Sequence, residues 1–263
     1  MGTIDKHAPG EFCWVELGTT DAQAGVAFYS KLLNWTVREI PAGPGMTYYI
    51  FLSDGKDAGA AYQLMKEQTA KGVPPHWLSY VAVSDAAAAA AKAQELGGKL
   101  LMGPCEVGEE GKLAVLEDPQ GAVFAVWQAK KHIGVRADGL HYRACWNELA
   151  TTDAEAAKHF YAALFGWVAH TQPIGGMDYT TWLNAGKPNG GMLQMTAEWA
   201  GIPPHWMVYF SVPDCDESAE FAKELGAKVK VAPFDIPGIG RMCVISDPQG
   251  AVFSLIQFEA MAA

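Results

Sequence analysis

The stretch CWVELGTTDAQAGVAFYSKLLNW, from Cys13 to Trp35, determines how the rest of the chain is read. It returns 132 residues later, from Cys145 to Trp167, as CWNELATTDAEAAKHFYAALFGW. Thirteen of the 23 positions are identical between the two copies. Self-similarity over such a distance indicates an internal repeat, so residues have to be considered in pairs.

Two shorter blocks support the same repeat. GVPPHWLSYVAVSD, residues 72–85, returns as GIPPHWMVYFSVPD at residues 201–214, and DPQGAVF recurs unchanged at residues 118–124 and 247–253. Both pairs are offset by 129 residues, so the order of landmarks is conserved with one small change of length. The chain therefore reads as a tandem duplication, with each copy about half of it.

Composition places the chain among globular proteins. It has 263 residues, of which 50% are hydrophobic and 18% charged, enough for two domains with their own cores. A formal net charge of −10 argues against nucleic-acid and anionic-membrane partners. No apolar run reaches the length of about 18 residues needed for a membrane span, and the N-terminus lacks the apolar core of a secretion signal. Five cysteines without a CxxC motif predict free thiols and a cytoplasmic location.

Local patterns predict the same units in both repeats. Residues 12–18 alternate, with Val15 and Leu17 on one face of a strand and Trp14 and Glu16 on the other. Asp21 is a helix N-cap signal. Each repeat is predicted to hold two units of one strand, one helix and three strands.

Segments rich in glycine and proline are predicted to be loops. They are residues 41–45, 104–111 and 173–176, together with a connection at 66–75. Asp118-Pro-Gln-Gly121 has the composition of a type I turn between two hairpin strands.

Four βαβββ units with these motifs resemble the vicinal oxygen chelate superfamily, which includes glyoxalase I, bleomycin-resistance proteins and extradiol dioxygenases. The TTD…FY…L…W, PPHW and DPQGAVF motifs carry the resemblance over nearly the whole chain. It implies an α+β fold, a tandem duplication of glyoxalase-like domains in which four βαβββ units form curved sheets around clefts. We predict domains at residues 8–130 and 141–260 joined by a linker at 131–140. The segments AKKHIG, WNEL and DIPGIGR are similar to a two-domain, glyoxalase-like subgroup.

The resemblance also implies where metal ligands would lie, on the first strand of each unit and on the last strand. Carried onto this chain, the positions are Trp14, Leu78 and Ala125 in the first repeat and Trp146, Met207 and Ser254 in the second. Catalytic divalent metals need histidine nitrogens and carboxylate oxygens, which these residues do not supply. We therefore expect no metal and no cofactor, and metal-dependent glyoxalase or dioxygenase activity becomes the weaker alternative.

Strand alternation predicts which side chains line the clefts. The candidate acid–base residues are Glu16 and Glu148, because a carboxylate among aromatic rings is desolvated and its pKa is expected to rise. The candidate substrate-binding residues are Trp14, His76, Tyr80, Trp127, Trp146, His205 and Tyr209. Structural alternatives have similar weight: each glutamate could tie the sheet together by bonding a tyrosine or backbone amides, and each histidine could be a satisfied strand-edge residue.

Two functions follow from these clefts. One is a binding or sequestering protein for a small, aromatic or cationic molecule, similar to bleomycin-resistance proteins. The other is a metal-free enzyme in which Glu16 or Glu148 moves a proton next to a carbonyl. Recognition is expected to depend more on Trp14 and Glu16 than on Trp146 and Glu148, in a chain that is a monomer or a homodimer.

Overall fold

The computed structural model describes residues 4–174 and 176–259. In the first repeat the elements are, in chain order, β1 (Phe12–Thr19), α1 (Ala22–Leu32), β2 (Thr36–Gly43), β3 (Met46–Ser53), β4 (Lys56–Gln63), α2 (Lys66–Ala70), β5 (His76–Ala82), α3 (Ala86–Glu95), β6 (Lys99–Val107), β7 (Gly111–Glu117) and β8 (Val123–Ala129).

The second repeat has the same order. Its elements are β9 (Ala144–Thr151), α4 (Ala154–Phe165), β10 (Val168–Ile174), β11 (Met177–Asn184), β12 (Lys187–Gln194), a short 3₁₀ segment (Ala197–Trp199), β13 (His205–Ser211), α5 (Cys215–Glu224), β14 (Lys228–Ile236), β15 (Gly240–Ser246) and β16 (Val252–Phe258). The predicted duplication of βαβββ units is therefore confirmed. Among the described helices, none is long and apolar enough to cross a lipid bilayer.

Each repeat forms one eight-stranded mixed sheet, with strand order β2-β3-β4-β1-β5-β8-β7-β6 in the first repeat and β10-β11-β12-β9-β13-β16-β15-β14 in the second. The first strands of the two units, β1 and β5, pair antiparallel at the centre, and each pairs in parallel with the last strand of its own unit. This arrangement places β1 and β9, with their glutamates, at the middle of a curved surface.

The main core lies between the backs of the two sheets. Helix α1 packs beside α5 and against the second sheet, where Phe28 contacts Phe253. Helix α4 packs beside α3 and against the first sheet, where Phe160 contacts Phe124 of β8. Because α1 and α4 fill space against the sheet of the other repeat, the back of neither sheet is complete without the other repeat.

Buried hydrogen bonds cross between the repeats at the DPQGAVF turns. The Tyr29 hydroxyl donates to Asp247 at 3.0 Å, and the Tyr161 hydroxyl donates to Asp118 at 2.9 Å. Both aspartates also accept three backbone N–H groups of their own turns. The turn motif seen in the sequence therefore has a second role, since it anchors the helix of the opposite repeat.

Three predicted loops were wrong where they contain proline. Pro41 lies in β2, Pro104 in β6 and Pro173 in β10, and these three strands are the outer strands of their sheets. Proline lacks a backbone N–H, so it is tolerated where one edge of the strand has no neighbour to bond. The connection at 66–75 also contains a short helix, α2.

Candidate functional site

The predicted alternation of β1 is confirmed by its packing. Val15 and Leu17 belong to the core beneath the helices, whereas Trp14 belongs to a separate cluster on the concave face of the first sheet. Glu16 shares that concave face, because its carboxylate reaches the side chain of Tyr80 on β5. The residues predicted to line the first cleft therefore lie there, although their part in recognition stays a prediction.

In the first cleft a glutamate is held by aromatic side chains. The Tyr80 hydroxyl donates to Glu16 Oε2 at 2.6 Å, and Tyr48 also hydrogen-bonds this carboxylate. Trp14 Nε1 donates to the Tyr48 hydroxyl at 3.3 Å. Three strands, β1, β3 and β5, thus contribute to one polar cluster in an apolar surrounding.

The second cleft repeats this cluster, with a shorter bond between its tryptophan and tyrosine. The Tyr179 hydroxyl donates to Glu148 Oε2 at 2.8 Å, and the Tyr209 hydroxyl donates to Glu148 Oε1 at 2.7 Å. Trp146 Nε1 donates to the Tyr179 hydroxyl at 2.9 Å. We call these two sets the Trp–Tyr–Glu–Tyr clusters: Trp14, Tyr48, Glu16 and Tyr80 in the first cleft, and Trp146, Tyr179, Glu148 and Tyr209 in the second.

Burial sets the acid–base properties of both clusters. Desolvation raises the pKa of Glu16 and of Glu148 above the ordinary value of 4.5, and the tyrosine hydrogen bonds oppose this rise. Desolvation, followed by the charge of the nearby glutamate, raises the pKa of Tyr80 and Tyr209. The tyrosines therefore stay protonated donors, and each glutamate retains oxygen lone pairs that a ligand could use.

The first cleft is covered by the linker. His132 lies edge-on to Trp14, with ring centroids 4.6 Å apart, and its backbone oxygen accepts from Trp127 Nε1 at 2.8 Å. Trp14 is 5% exposed, Glu16 9% and Trp127 6%. A ligand could reach this cluster only if the linker or Trp127 moved.

The second cleft is more open. Trp146, Glu148 and Met207 are half-buried, and the position equivalent to Trp127 is occupied by the smaller Ile256. Leu193 likewise replaces Tyr62. Access therefore favours the second cleft, which is the reverse of the order expected from the sequence.

Both predicted histidines lie at the starts of their strands. His76 Nδ1 bonds the Pro74 oxygen and His205 Nδ1 bonds the Pro203 oxygen, both at 2.8 Å. Desolvation lowers the pKa of each imidazole, so both are neutral at physiological pH. His205 also faces the ring of Trp199. Neither histidine bonds a cluster glutamate.

Sequence reasoning missed Tyr48 and Tyr179. Both lie on the third strand in chain order of their repeat, β3 and β11, and both contact the glutamate of β1 or β9 from the side. The available signal was the alignment of MTYYI, residues 46–50, with MDYTT, residues 177–181. Strands that are not consecutive in the chain pair with each other, and this pairing brings these tyrosines to the cluster. The repeat alone does not reveal it.

The donor set does not fit a catalytic divalent metal. In residues 4–174 and 176–259, no three His, Cys, Asp or Glu side chains come together. The family's ligand positions carry Trp14, Leu78 and Ala125 on the concave face of the first sheet, where Ala125 is the strand partner of Tyr80. The single carboxylate of each cluster is already bonded to two tyrosines.

Comparison with protein families agrees with the fold. Residues 12–126 match the model of the Glyoxalase/Bleomycin resistance protein/Dioxygenase superfamily, and residues 146–256 match that of a glyoxalase-like domain. The two matches correspond to the two sheets.

Full-length relatives also match. The chain is 37% identical over 258 residues to "Putative glyoxylase CFP32" of Mycobacterium tuberculosis, with 98% of each chain covered. It is 34% identical over 266 residues to "Anthracycline biosynthesis protein DnrV" of Streptomyces peucetius, which covers 97% of this chain and 96% of the relative. Among solved structures, the Mn(II)-bound glyoxalase from Novosphingobium aromaticivorans superposes with a TM-score of 0.64 at 15% identity, over 95% of this chain and 82% of that one.

Proposed function

Because the chain belongs to the glyoxalase/bleomycin resistance protein/dioxygenase superfamily, we propose that it binds one planar, partly aromatic small molecule in its second cleft, without a metal. The observation that carries this proposal is the half-buried Trp–Tyr–Glu–Tyr cluster of that cleft, with Glu148 held by two tyrosines beside an accessible indole. Small-molecule sites are typically apolar and aromatic, with a few polar groups that orient the ligand.

The hydrogen-bond directions support a ligand that carries a donor group. Both tyrosines donate to Glu148, and Trp146 donates to Tyr179, so the groups that the cluster presents to a ligand are acceptor oxygens. A ligand hydroxyl or amine would satisfy that acceptor, while an anionic group would meet a carboxylate. Trp146 would stack on the ligand's ring, which contributes about 0.5–1.5 kcal/mol beyond the area it buries.

The relatives' names support a planar ligand. Two of them are named for anthracycline biosynthesis, and anthracyclines contain fused planar rings that carry hydroxyl groups. Those names belong to the relatives, and we carry only the shape and hydroxyl pattern to this chain.

A second candidate function is metal-free acid–base catalysis. It is favoured by the raised pKa of Glu148, because a carboxylate with a higher pKa is a stronger base. In this version Glu148 would remove a proton next to a ligand carbonyl, and the tyrosines would hold the carboxylate in place.

The test is a tryptophan-fluorescence titration with 1,8-dihydroxyanthraquinone and, as the matched ligand without hydroxyls, anthraquinone. We expect one bound dihydroxyanthraquinone per chain and weaker binding of anthraquinone. Glu148→Gln should weaken binding of the hydroxylated ligand roughly ten- to hundredfold, since a hydrogen bond to a charged group contributes about 1.5–3 kcal/mol.

Glu16→Gln is the matched control, because it makes the same change in the covered cleft and should leave affinity within about twofold. Equal loss in both variants, or no loss in Glu148→Gln, would contradict the proposal. A turnover assay separates the two candidates: if Glu148→Gln binds ligand but loses turnover, the protein is an enzyme.

A further inference from the structure

A cavity of about 300 Å³ lies between the two repeats, along β1 and β9. Its walls are the starts of β1 and β9, the N-terminal segment near His7 and the end of the linker near Val135. The volume is at the lower end of the range of about 300–1,000 Å³ found for ligand pockets.

Arg143 provides an unsatisfied donor at the cavity. Its Nε is buried without a hydrogen-bond partner, and within the described ranges its guanidinium forms no hydrogen bond or ion pair. An uncompensated buried donor destabilises the folded state, and more so when it is charged. Guanidinium groups pair preferentially with planar carboxylates through two parallel N–H bonds.

Asn147 provides a second donor. Its side chain is 6% exposed, and its Oδ1 accepts from the Ser79 hydroxyl at 2.6 Å. That bond directs the oxygen to Ser79 and leaves the Nδ2 hydrogens without a partner in the part of the chain that the structure describes. The equivalent residue of the first repeat is Val15, so this polar position occurs in only one half.

The other charged residues that line the cavity determine which charges are free to meet a ligand. Lys187 lines the cavity and forms no ion pair within residues 4–174 and 176–259. Glu11 accepts the Ala8 N–H at 2.8 Å and lies 3.8 Å from His7, so its carboxylate already has partners. The free groups are therefore two cations and an amide donor. The net charge of −10 repels a carboxylate, but the distant charges are mostly screened by salt. Attraction by cations at hydrogen-bond distance therefore outweighs that repulsion.

We propose that this cavity binds a small carboxylate, with Arg143 and the Asn147 amide as donors to its oxygens. The apolar side chains of Val15, Val135 and Ala144 would cover the ligand's hydrocarbon part. The cavity lies between β1 and β9, and because Trp146 is also among its lining residues, a Glu148 variant is needed to distinguish it from the second cleft.

The probe is benzoate, titrated by calorimetry in a chloride buffer, with benzamide as its neutral counterpart. Benzoate should bind once per chain and benzamide should not. Arg143→Gln should weaken benzoate binding roughly ten- to hundredfold. Asn147→Asp retains the acceptor for Ser79 but replaces the amide donor with a carboxylate, so it should reduce binding by a similar or larger factor.

Two control variants define the site. Arg136→Gln removes one positive charge from the linker outside the cavity lining, and Glu148→Gln alters the second cleft. Benzoate affinity should be unchanged in both. The proposal is overturned if benzoate shows no binding at millimolar concentration, if benzamide binds equally well, or if the Arg143 variant binds as the wild type does. Loss of benzoate in Glu148→Gln would also overturn it and would assign the ligand to the cleft. Thermal melts check folding, and if the Arg143 variant is unfolded, Asn147→Asp decides.

Discussion

Trp14 and Trp146 occupy equivalent places in two copies of one design, yet only Trp146 is accessible. In the first cleft the linker places His132 against Trp14, and Trp127 closes the floor. In the second cleft the position of Trp127 is occupied by Ile256, which leaves more room.

Comparison of the two clefts shows which residues both copies share. Both clusters keep a tryptophan, two tyrosines and a glutamate, while the residues around them differ. One glycine makes the second cluster tight: a Cβ on Gly191 would overlap the Tyr179 hydroxyl and lie 2.8 Å from Trp146 Nε1. The first repeat has Ala60 at this position, and its Trp–Tyr bond is longer, at 3.3 Å.

The largest effect is expected from Trp127→Ile, which places the isoleucine of the second cleft at the equivalent position of the first cleft. Trp127→Ile removes a buried indole and its hydrogen bond to His132, and it should lower the unfolding free energy by about 2–4 kcal/mol. Urea denaturation followed by circular dichroism measures it. Trp199→Ile, which changes a half-buried tryptophan of the 3₁₀ segment, is the control and should cost clearly less. Equal costs would mean that the first cleft is not a packed core.

Next in size is Gly191→Ala. The added methyl group should push the Tyr179 side chain off Glu148, and ligand affinity in the second cleft should fall roughly tenfold or more while the fold persists. The dihydroxyanthraquinone titration measures the change. The reciprocal variant Ala60→Gly alters the covered cleft and should not change affinity. Retained affinity in Gly191→Ala would show that Tyr179 does not orient Glu148 for binding.

A smaller effect is expected from uncovering the first cleft. His132→Ala removes the ring that lies against Trp14, so acrylamide quenching of tryptophan fluorescence should increase and a second, weaker ligand equivalent should bind. His141→Ala, an exposed change directly after the linker, is the control. If quenching and stoichiometry stay as in the wild type, the linker is not what closes this cleft.

The smallest effect concerns pH. The pKa of Glu16 and of Glu148 is raised in the folded state, so above pH 4.5 these two groups bind more protons in the folded than in the unfolded chain. Stability should therefore fall as pH rises from about 4.5 through the raised pKa values. Glu16→Gln and Glu148→Gln should each flatten this decline in urea melts at a series of pH values, and Glu155→Gln on the exposed face of α4 should not. A decline of the same slope in all three variants would show that neither cluster contributes to it.

Much of the fold follows from local sequence. The alternation in β1, the Asp21 N-cap and the two DPQGAVF turns give the strands, the helix starts and the duplication. The concave position of Trp14 and Glu16 also follows, since neighbouring residues of a strand point to opposite faces. The prediction of loops at the proline-containing segments was wrong because proline is tolerated in an outer strand. The sequence does not indicate which strands are outer.

By itself the sequence determined the repeat, the four units and one glutamate per cleft, because these depend on short-range periodicity and on identity between copies. Only the tertiary structure decided that Tyr48 and Tyr179 reach those glutamates, that Tyr29 bonds Asp247 across the repeats, and that His132 covers just one cleft. These contacts join residues far apart in the chain. They depend on how the two sheets curve and pack, so no local pattern specifies them.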